Sequence, residues 1–392
     1  VYKRQVLIFC TTLCFYCFVS GVSQARGGLF GGTREHGTLP LFETLRLPVV
    51  PAAGMYAAMG VAVLAKGPVG CLLPRTIIRL YALFEPGSAG LSANTSSSGW
   101  QRLWRGLTAR LAPKRLLQIG GGLRLMSGAV IVLIVVTPWY TAVSIATDGE
   151  WLAGFIGTHN VNRFLNPMEG HDGPVVYYIV AILAGFFPGS VFIGPALINA
   201  AKNQRRISSE SRSQVFLMIW IGTWLTFFTL AATKLPNYIV PCFPAVALLV
   251  GGWVSKVARA GTANQFWLRN GVISFAAVSL LVSVALAIGS TLYWQTDLII
   301  VLASLVPVVI GFAGWYMLRC GKMRPAMALC TAGFVTLQNG LAFGAIVGLI
   351  GTVAPSFWLD YQKSKRQKTI RRALSGSPLV TKIRSPYMTG EL

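Results

Sequence analysis

Three short polar motifs interrupt an otherwise apolar chain, and their residues are of types that bind anions. The motifs are Lys66-Gly67-Pro68, His159-Asn160-Val161-Asn162-Arg163-Phe164 and Lys234-Leu235-Pro236-Asn237-Tyr238. A Lys ammonium attracts phosphate oxygens as a point charge, and an Arg guanidinium binds two of them at once. Lys234 and Tyr238 are four residues apart, a spacing that places both on one side of a helical turn. These residue types favour binding of a phosphate group.

Each motif also has an explanation that involves no ligand. A Lys at a helix end can extend to the headgroup level of a membrane, and a Gly-Pro or Leu-Pro-Asn sequence can simply reverse the chain. The segment 155–178 has the composition of an ordinary polar loop. His159 with Glu169 or His171 would offer ligands to a divalent metal, although their spacing matches no common site. The anion site, the metal site and plain loops therefore stand as alternatives at this point.

The composition is that of a membrane protein. Hydrophobic residues make up 54% of the chain, charged residues 11%, and the mean hydropathy is +0.61. Soluble domains carry about 25% charged residues. Because every backbone polar group must be bonded internally in hydrocarbon, long apolar runs in such a chain are helices. We predict an all-α polytopic membrane protein.

Ten apolar runs are long enough to be considered membrane spans. They are Val6–Gly21, Pro48–Ala65, Val69–Phe84, Leu125–Thr147, Val175–Ala200, Val215–Ala232, Tyr238–Val254, Val272–Trp294, Leu298–Leu318 and Ala326–Val353. Lys and Arg gather in the connections 85–124, 201–214, 255–271 and 319–325. The positive-inside rule makes these connections cytoplasmic. The alternate connections, which contain all three polar motifs, then face outward, as residues of one shared site would.

Charge and cysteine content argue against other functions. The net charge of +23 follows from the positive-inside pattern, so we predict no nucleic-acid partner. None of the ten spans contains Asp or Glu, which opposes ion-coupled transport because that needs ionisable groups inside the bundle. The seven cysteines lie in or beside apolar runs, where they serve as small packing residues. We therefore predict no cysteine metal site.

The ordered set of motifs resembles the membrane glycosyltransferases of the GT-C class. It is most similar to the family of aminoarabinose (lipid A) transferases and protein O-mannosyltransferase-like enzymes. The matching stretches are Val63 to Gly70, Thr137-Pro138-Trp139-Tyr140, His159-Asn160 with Arg163-Phe164, His171 with Pro174 and Tyr177-Tyr178, Gly185-Phe186-Phe187-Pro188, and Lys234 to Pro244.

This resemblance implies a GT-C-like bundle that uses a polyprenyl-phosphate sugar donor. Four residues match positions that bind the donor phosphate, namely Lys66, Lys234, Tyr238 and Arg163. The substrate cavity would also contain His159, Asn160, His171 and Glu169. No cofactor follows from the resemblance, and the divalent metal remains an alternative.

The chain departs from the family where its catalytic Asp is expected. That Asp belongs to a large outer loop that this sequence lacks, and Arg4-Gln5 stand where a further Asp is usual. Gly189 replaces a Trp that often follows Pro188. We expect a fragment without the N-terminal spans: residues 1–354 form the transmembrane bundle, and 355–392 begin a basic extracytoplasmic tail or a truncated C-terminal domain.

The predicted function is transfer of a sugar from the polyprenyl-phosphate donor to a hydroxyl of lipid A, another lipid glycan or a protein. Transfer would take place at the outer face of the cytoplasmic membrane, with an Asp outside this chain as general base. One alternative is a transporter or flippase of a lipid-linked glycan, and another is a non-catalytic scaffold. A scaffold would leave Lys66, Arg163 and Lys234 scattered, whereas a transferase requires them to converge.

Overall fold

The computed structural model describes residues 2–26, 45–85, 108, 110–166, 173–187, 189–204, 208–260, 265–293, 298–322, 326 and 329. Every regular element within these residues is a helix. The α-helices are α1 (Tyr2–Arg26), α2 (Val49–Lys66), α3 (Val69–Phe84), α4 (Pro113–Gly122), α5 (Leu125–Ala146), α6 (Glu150–Ala153), α7 (Arg163–Leu165), α8 (Tyr177–Gly185), α9 (Ile193–Asn203), α10 (Ser209–Leu230), α11 (Phe243–Ala260), α12 (Gln265–Tyr293) and α13 (Leu298–Arg319).

Four further helical segments are not α-helical. A π-helix covers Gly154–Asn162, and short 3-10 helices cover Gly189–Phe192, Pro236–Tyr238 and Val240–Cys242. The chain divides into two compact units, Val1–Gly271 and Val272–Leu392. The polar motifs all belong to the first unit. The predicted domain boundary at residue 354 lies outside the described residues.

The predicted all-α membrane class is confirmed. Within the described residues, five helices are long and apolar enough to cross a membrane, and the bent pair α8–α9 would make a sixth. Each of the first nine predicted spans lies on helical structure, and α3 has the predicted bounds Val69–Phe84. The tenth, Ala326–Val353, falls outside the described residues apart from Ala326 and Leu329. The protein is a multi-pass membrane protein.

The predicted span Val175–Ala200 is bent in the structure. Helix α8 ends at Gly185, and helical structure resumes at Gly189. The two helical segments make an angle of 116° with each other. Pro188 interrupts the sequence between these glycines and has no backbone N–H to donate within a helix. The ring of Phe243 also lies close to Gly185, where a Cβ would approach its Cζ atom to 2.9 Å. The apolar pattern hides this break because apolar residues continue on both sides of it.

An aromatic cluster joins α1, α3 and α10 in the core of the first unit. The ring of Phe216 on α10 lies 5.4 Å from Phe15 on α1 and 5.3 Å from Tyr81 on α3, measured between centroids. The Trp220 ring also packs against Phe15, with 4.3 Å between the centroids. Edge-to-face contacts of this kind add to the stabilisation by area burial. The cluster holds together the helices that carry two of the polar motifs at their ends.

Small residues allow α2 to pack closely against its neighbours. A Cβ on Gly70 of α3 would collide with the backbone of Ala62, and one on Gly128 of α5 would collide with the Tyr56 ring. The Tyr56 hydroxyl donates to the Leu123 carbonyl at 2.8 Å. Close backbone approach at small residues is the common mode of helix packing in membranes. It positions the end of α2, where Lys66 lies.

A buried ion pair joins α3 and α10 at the end of the bundle opposite Lys66. The Arg212 Nε atom lies 3.4 Å from the Glu85 carboxylate, and the two side chains are 4% and 1% exposed. Nearby, Arg115 donates to the Leu83 carbonyl at 3.2 Å. Glu85 follows the last residue of α3, and Arg212 lies in the first turn of α10. The pair therefore aligns two antiparallel helices whose other ends approach the polar motifs.

We predict that replacing Arg212 by Met destabilises the protein by about 3 kcal/mol, because removal of one partner leaves a buried charge uncompensated. Thermal unfolding in detergent measures the loss. The matched control is Lys256→Met, which breaks a pair with Glu210 at 2.8 Å whose side chains are 49% and 48% exposed. That change should cost less than about 1 kcal/mol. Equal losses in the two variants would contradict a structural role for the buried pair.

Candidate functional site

The Lys66 motif is a tight reversal between α2 and α3. Gly67 has φ 79° and ψ −158°, a conformation open almost only to glycine, and its N–H donates to the Val63 carbonyl at 2.7 Å. Pro68 then starts α3 without needing a hydrogen-bond partner for its nitrogen. The Tyr140 hydroxyl of α5 donates to the same Val63 carbonyl at 3.2 Å. These contacts fix the point at which the Lys66 side chain leaves the helix.

The second motif includes the end of the π-helix and is hydrogen-bonded to the two residues that precede the third motif. The Asn160 amide donates to the Phe155 carbonyl at 2.6 Å. Asn160 also packs against Gly67, where a Cβ would lie 2.8 Å from its amide atoms. Ala232 N–H donates to the Phe164 carbonyl at 2.8 Å, and Thr233 Oγ1 donates to the Asn166 carbonyl at 3.0 Å. The second motif is thus in contact with the first motif and with the residues just before the third.

Tyr238 is the residue on which the two cationic side chains converge. The Lys66 Nζ atom lies 4.4 Å from the centroid of its ring. An Arg163 guanidinium nitrogen donates to its hydroxyl at 3.3 Å. The Trp224 indole donates to its backbone carbonyl at 2.9 Å. An ammonium, a guanidinium and a phenol therefore lie within reach of one small anion.

A cavity of about 260 Å³ opens beside these three side chains. The polar side chains on its wall include Lys66, Asn160, Arg163 and Tyr238. The remaining wall is largely apolar, formed by Pro68, Val69, Leu72, Phe164, Leu165, Phe227, Phe228 and Ala231 with Thr233. No carboxylate is among the described residues that line it. Such a wall suits a ligand with an anionic head and a hydrocarbon tail.

A second, much smaller cavity lies on the other side of Lys66 and Tyr238. Its volume is about 10 Å³, close to the minimum for one water molecule. Leu7 and Ile8 of α1 form its outer wall, and Asn237 lines it as well. Lys66 and Tyr238 thus line both the large cavity and the small one.

Lys234, predicted to bind the same anion, has its ammonium elsewhere. Its Nζ atom donates to the carbonyls of Thr229 at 2.8 Å and Ala231 at 2.9 Å. The side chain is buried, and the ammonium lies 5.9 Å from the Tyr178 ring centroid. Lys234 is not among the residues that line either cavity. Its role as a phosphate ligand stays a prediction.

The structure describes only some of the other residues that were predicted to line the substrate cavity. Asn160 lines the large cavity, and His159 lies in the π-helix one residue before it. Glu169 and His171 lie outside the described residues. Among the residues described, no three His, Cys, Asp or Glu side chains are grouped so that they could hold a metal ion. The metal alternative therefore stays a prediction.

Sequence reasoning did not identify Trp224, Phe227 or Phe228. Trp224 is fully buried within α10 and reaches the Tyr238 carbonyl across a separation of 14 residues. Phe227 and Phe228 lie one turn later on the same helix, and the Phe228 ring packs 5.2 Å from Tyr238. The available signal was the dense aromatic content of α10, which is equally typical of an ordinary membrane-facing helix.

Known proteins that are similar to this chain carry the name of the family that its motifs resemble. An undecaprenyl phosphate-alpha-4-amino-4-deoxy-L-arabinose arabinosyl transferase of Pseudomonas fluorescens is 29% identical over 235 residues, which cover 60% of this chain and 36% of that protein. One from Erwinia tasmaniensis is 34% identical over 157 residues, covering 40% and 26%. The chain is similar to aminoarabinose transferases of the GT-C class. No family model matches it.

The fold agrees with this relationship. The crystal structure of ArnT from Cupriavidus metallidurans bound to undecaprenyl phosphate superposes with a TM-score of 0.56 at 22% identity, covering 90% of this chain and 65% of that one. The apo structure of the same protein gives 0.53 at 21% identity. The predicted GT-C-like bundle and the resemblance are thereby confirmed. The chain spans about a third of the length of the curated relatives it matches.

We predict that Gly67→Ala destabilises the protein more than Gly149→Ala. Both glycines have positive φ, 79° and 82°, so both substitutions introduce backbone strain. Only at Gly67 would the added methyl meet a neighbour, the Asn160 amide, because Gly149 has open space around it. We expect losses of about 3 and 1 kcal/mol, measured by thermal unfolding in detergent. Equal losses would contradict the close packing of the first two motifs.

Proposed function

We propose that this chain binds the phosphate of a polyprenyl-phosphate sugar donor and supports transfer of the sugar to lipid A or a similar hydroxyl acceptor. The observation that carries the proposal is the convergence of Lys66 and Arg163 on Tyr238 at the edge of a largely apolar cavity. The named activity of the curated relatives is transfer of aminoarabinose from such a donor, which favours transfer over transport of a lipid-linked glycan.

The proposed chemistry depends on charge that develops on the leaving phosphate. As the bond between the sugar and the phosphate breaks, negative charge grows on the phosphate oxygens. Lys66 and Arg163 stabilise that charge, and fixed cations in a site with low dielectric do so more effectively than water. The Tyr238 hydroxyl accepts from Arg163, which leaves its own hydrogen available to a phosphate oxygen.

The reaction also needs a binding surface for the lipid and a general base for the acceptor. The apolar wall holds the first units of the lipid. Two rings of this wall, Phe164 and Phe227, pack with their centroids 5.1 Å apart. The acceptor hydroxyl attacks the anomeric carbon and loses its proton to a general base. No described residue on the wall of either cavity is a carboxylate, so we infer that the base comes from outside these residues.

We predict that Lys66→Met and Arg163→Met each weaken binding of undecaprenyl phosphate by at least about tenfold, since each removes a charge-assisted contact. Titration of the purified chain in nanodiscs with undecaprenyl phosphate measures the affinity. Lys256→Met is the matched control, because Lys256 pairs with Glu210 at the surface far from the cavity. Undecaprenol, which lacks the phosphate, should bind all variants equally. Unchanged affinity for undecaprenyl phosphate in both variants would overturn the proposal.

We further propose that the site faces away from the cytoplasm in the inner membrane. The cavity lies at the Lys66 end of α3, and Glu85 and Arg212, which belong to two of the predicted cytoplasmic connections, pair at the other end of that helix. In a Cys320→Ser background, Asp148→Cys should react with an impermeant thiol reagent added to spheroplasts. Lys202→Cys should react only after lysis. The reversed pattern would contradict the proposed sidedness.

A further inference from the structure

The Lys234 ammonium is bonded to carbonyls at the end of α10, whereas a residue that binds phosphate would direct its ammonium into the cavity. A helix leaves its last four carbonyls without partners inside the helix. The Lys234 ammonium donates to the carbonyls of Thr229 and Ala231, at 2.8 and 2.9 Å, where α10 ends at Leu230. A positive charge is also stabilised there by the helix dipole. Lys234 therefore acts as a cap for this helix.

These contacts occupy the ammonium. It has three N–H donors, of which two reach carbonyls, and the Tyr178 ring lies 5.9 Å away as a third neighbour. The side chain is 7% exposed, and Gly173 lies over its stem, where a Cβ would meet Lys234 Cδ at 3.3 Å. Turning the ammonium toward the cavity would leave two helix carbonyls without their donor. The ammonium is therefore held away from the anion site.

The segment from Lys234 to Tyr238 is fixed to the bundle at three places. Lys234 anchors its start, and the Leu235 N–H donates to the Tyr178 hydroxyl at 3.2 Å. Tyr238 N–H closes the turn on the Leu235 carbonyl at 3.0 Å. The Trp224 indole binds the Tyr238 carbonyl at 2.9 Å. A displacement of Lys234 would be transmitted through this short turn to the Tyr238 phenol.

We propose that Lys234 is a positioning residue, whose ammonium caps α10 and thereby holds the Tyr238 hydroxyl beside Arg163 and Lys66. This inference rests on the proposed function, because it assigns a role in the same phosphate site. Lys66 and Lys234 then have different roles. Lys66 faces the ligand, whereas Lys234 acts on the ligand only through Tyr238.

A double-mutant cycle with Tyr238→Phe separates positioning from direct contact. Phe keeps the ring and removes the hydroxyl, so a residue that acts only through that hydroxyl loses its effect in this background. Lys234→Met should weaken undecaprenyl phosphate binding about tenfold when Tyr238 is present and less than about twofold when it is Phe. Lys66→Met, the matched control, should keep its full loss in both backgrounds. Additive losses for Lys234→Met would overturn the proposal.

A second variant covers the case in which Lys234→Met does not fold. Lys234→Gln removes the charge but retains an amide N–H for the helix carbonyls. Positioning predicts affinity within about threefold of the unmodified chain, whereas Lys66→Gln should lose about tenfold. Equal losses in the two Gln variants would show that Lys234 acts by its charge on the phosphate. If the unmodified chain does not bind undecaprenyl phosphate, the proposed function itself fails, which is a separate outcome.

Discussion

The contact between Tyr238 and two cationic side chains organises the whole site. Lys66 approaches the ring from the end of α2, and Arg163 approaches the hydroxyl from the end of the π-helix. Two like charges held near one phenol repel each other, so the surrounding helices must supply the energy that keeps them there. An anion placed between them relieves that repulsion. The arrangement is therefore prepared for a negative charge before the ligand arrives.

The two cationic side chains stay in place because contacts with the helices anchor each of the three motifs. The reversal at Gly67, the backbone pairing of Phe164 with Ala232, and the indole of Trp224 each anchor one motif at a short distance from the cavity. The aromatic cluster around Phe216 holds α1, α3 and α10 together below them. Few of these supporting contacts involve exposed groups, which keeps the geometry independent of the solvent.

Sequence reasoning could predict what depends on hydrophobic length and on charge in the connections. The bounds of α3 and the meeting of the Lys66, Arg163 and Tyr238 motifs follow from such patterns. It did not anticipate the bend between Gly185 and Gly189, although Pro188 and the two glycines are residues that interrupt helices. Nor could it predict where the Lys234 ammonium points, since the carbonyls of a helix end and the oxygens of a phosphate attract an ammonium in the same way.

The short length of α3 affects the lipid around the site. Its 16 residues at about 1.5 Å each give a helix of about 24 Å, whereas the hydrocarbon core of a bilayer is about 30 Å thick. A span that is too short draws the two leaflets toward each other. The bilayer should therefore be thinner where the exposed side of α3 meets lipid, as at Leu72 in the first turn beside the large cavity. A lipid headgroup that drifts along this depression would descend toward Lys66 without leaving the membrane surface.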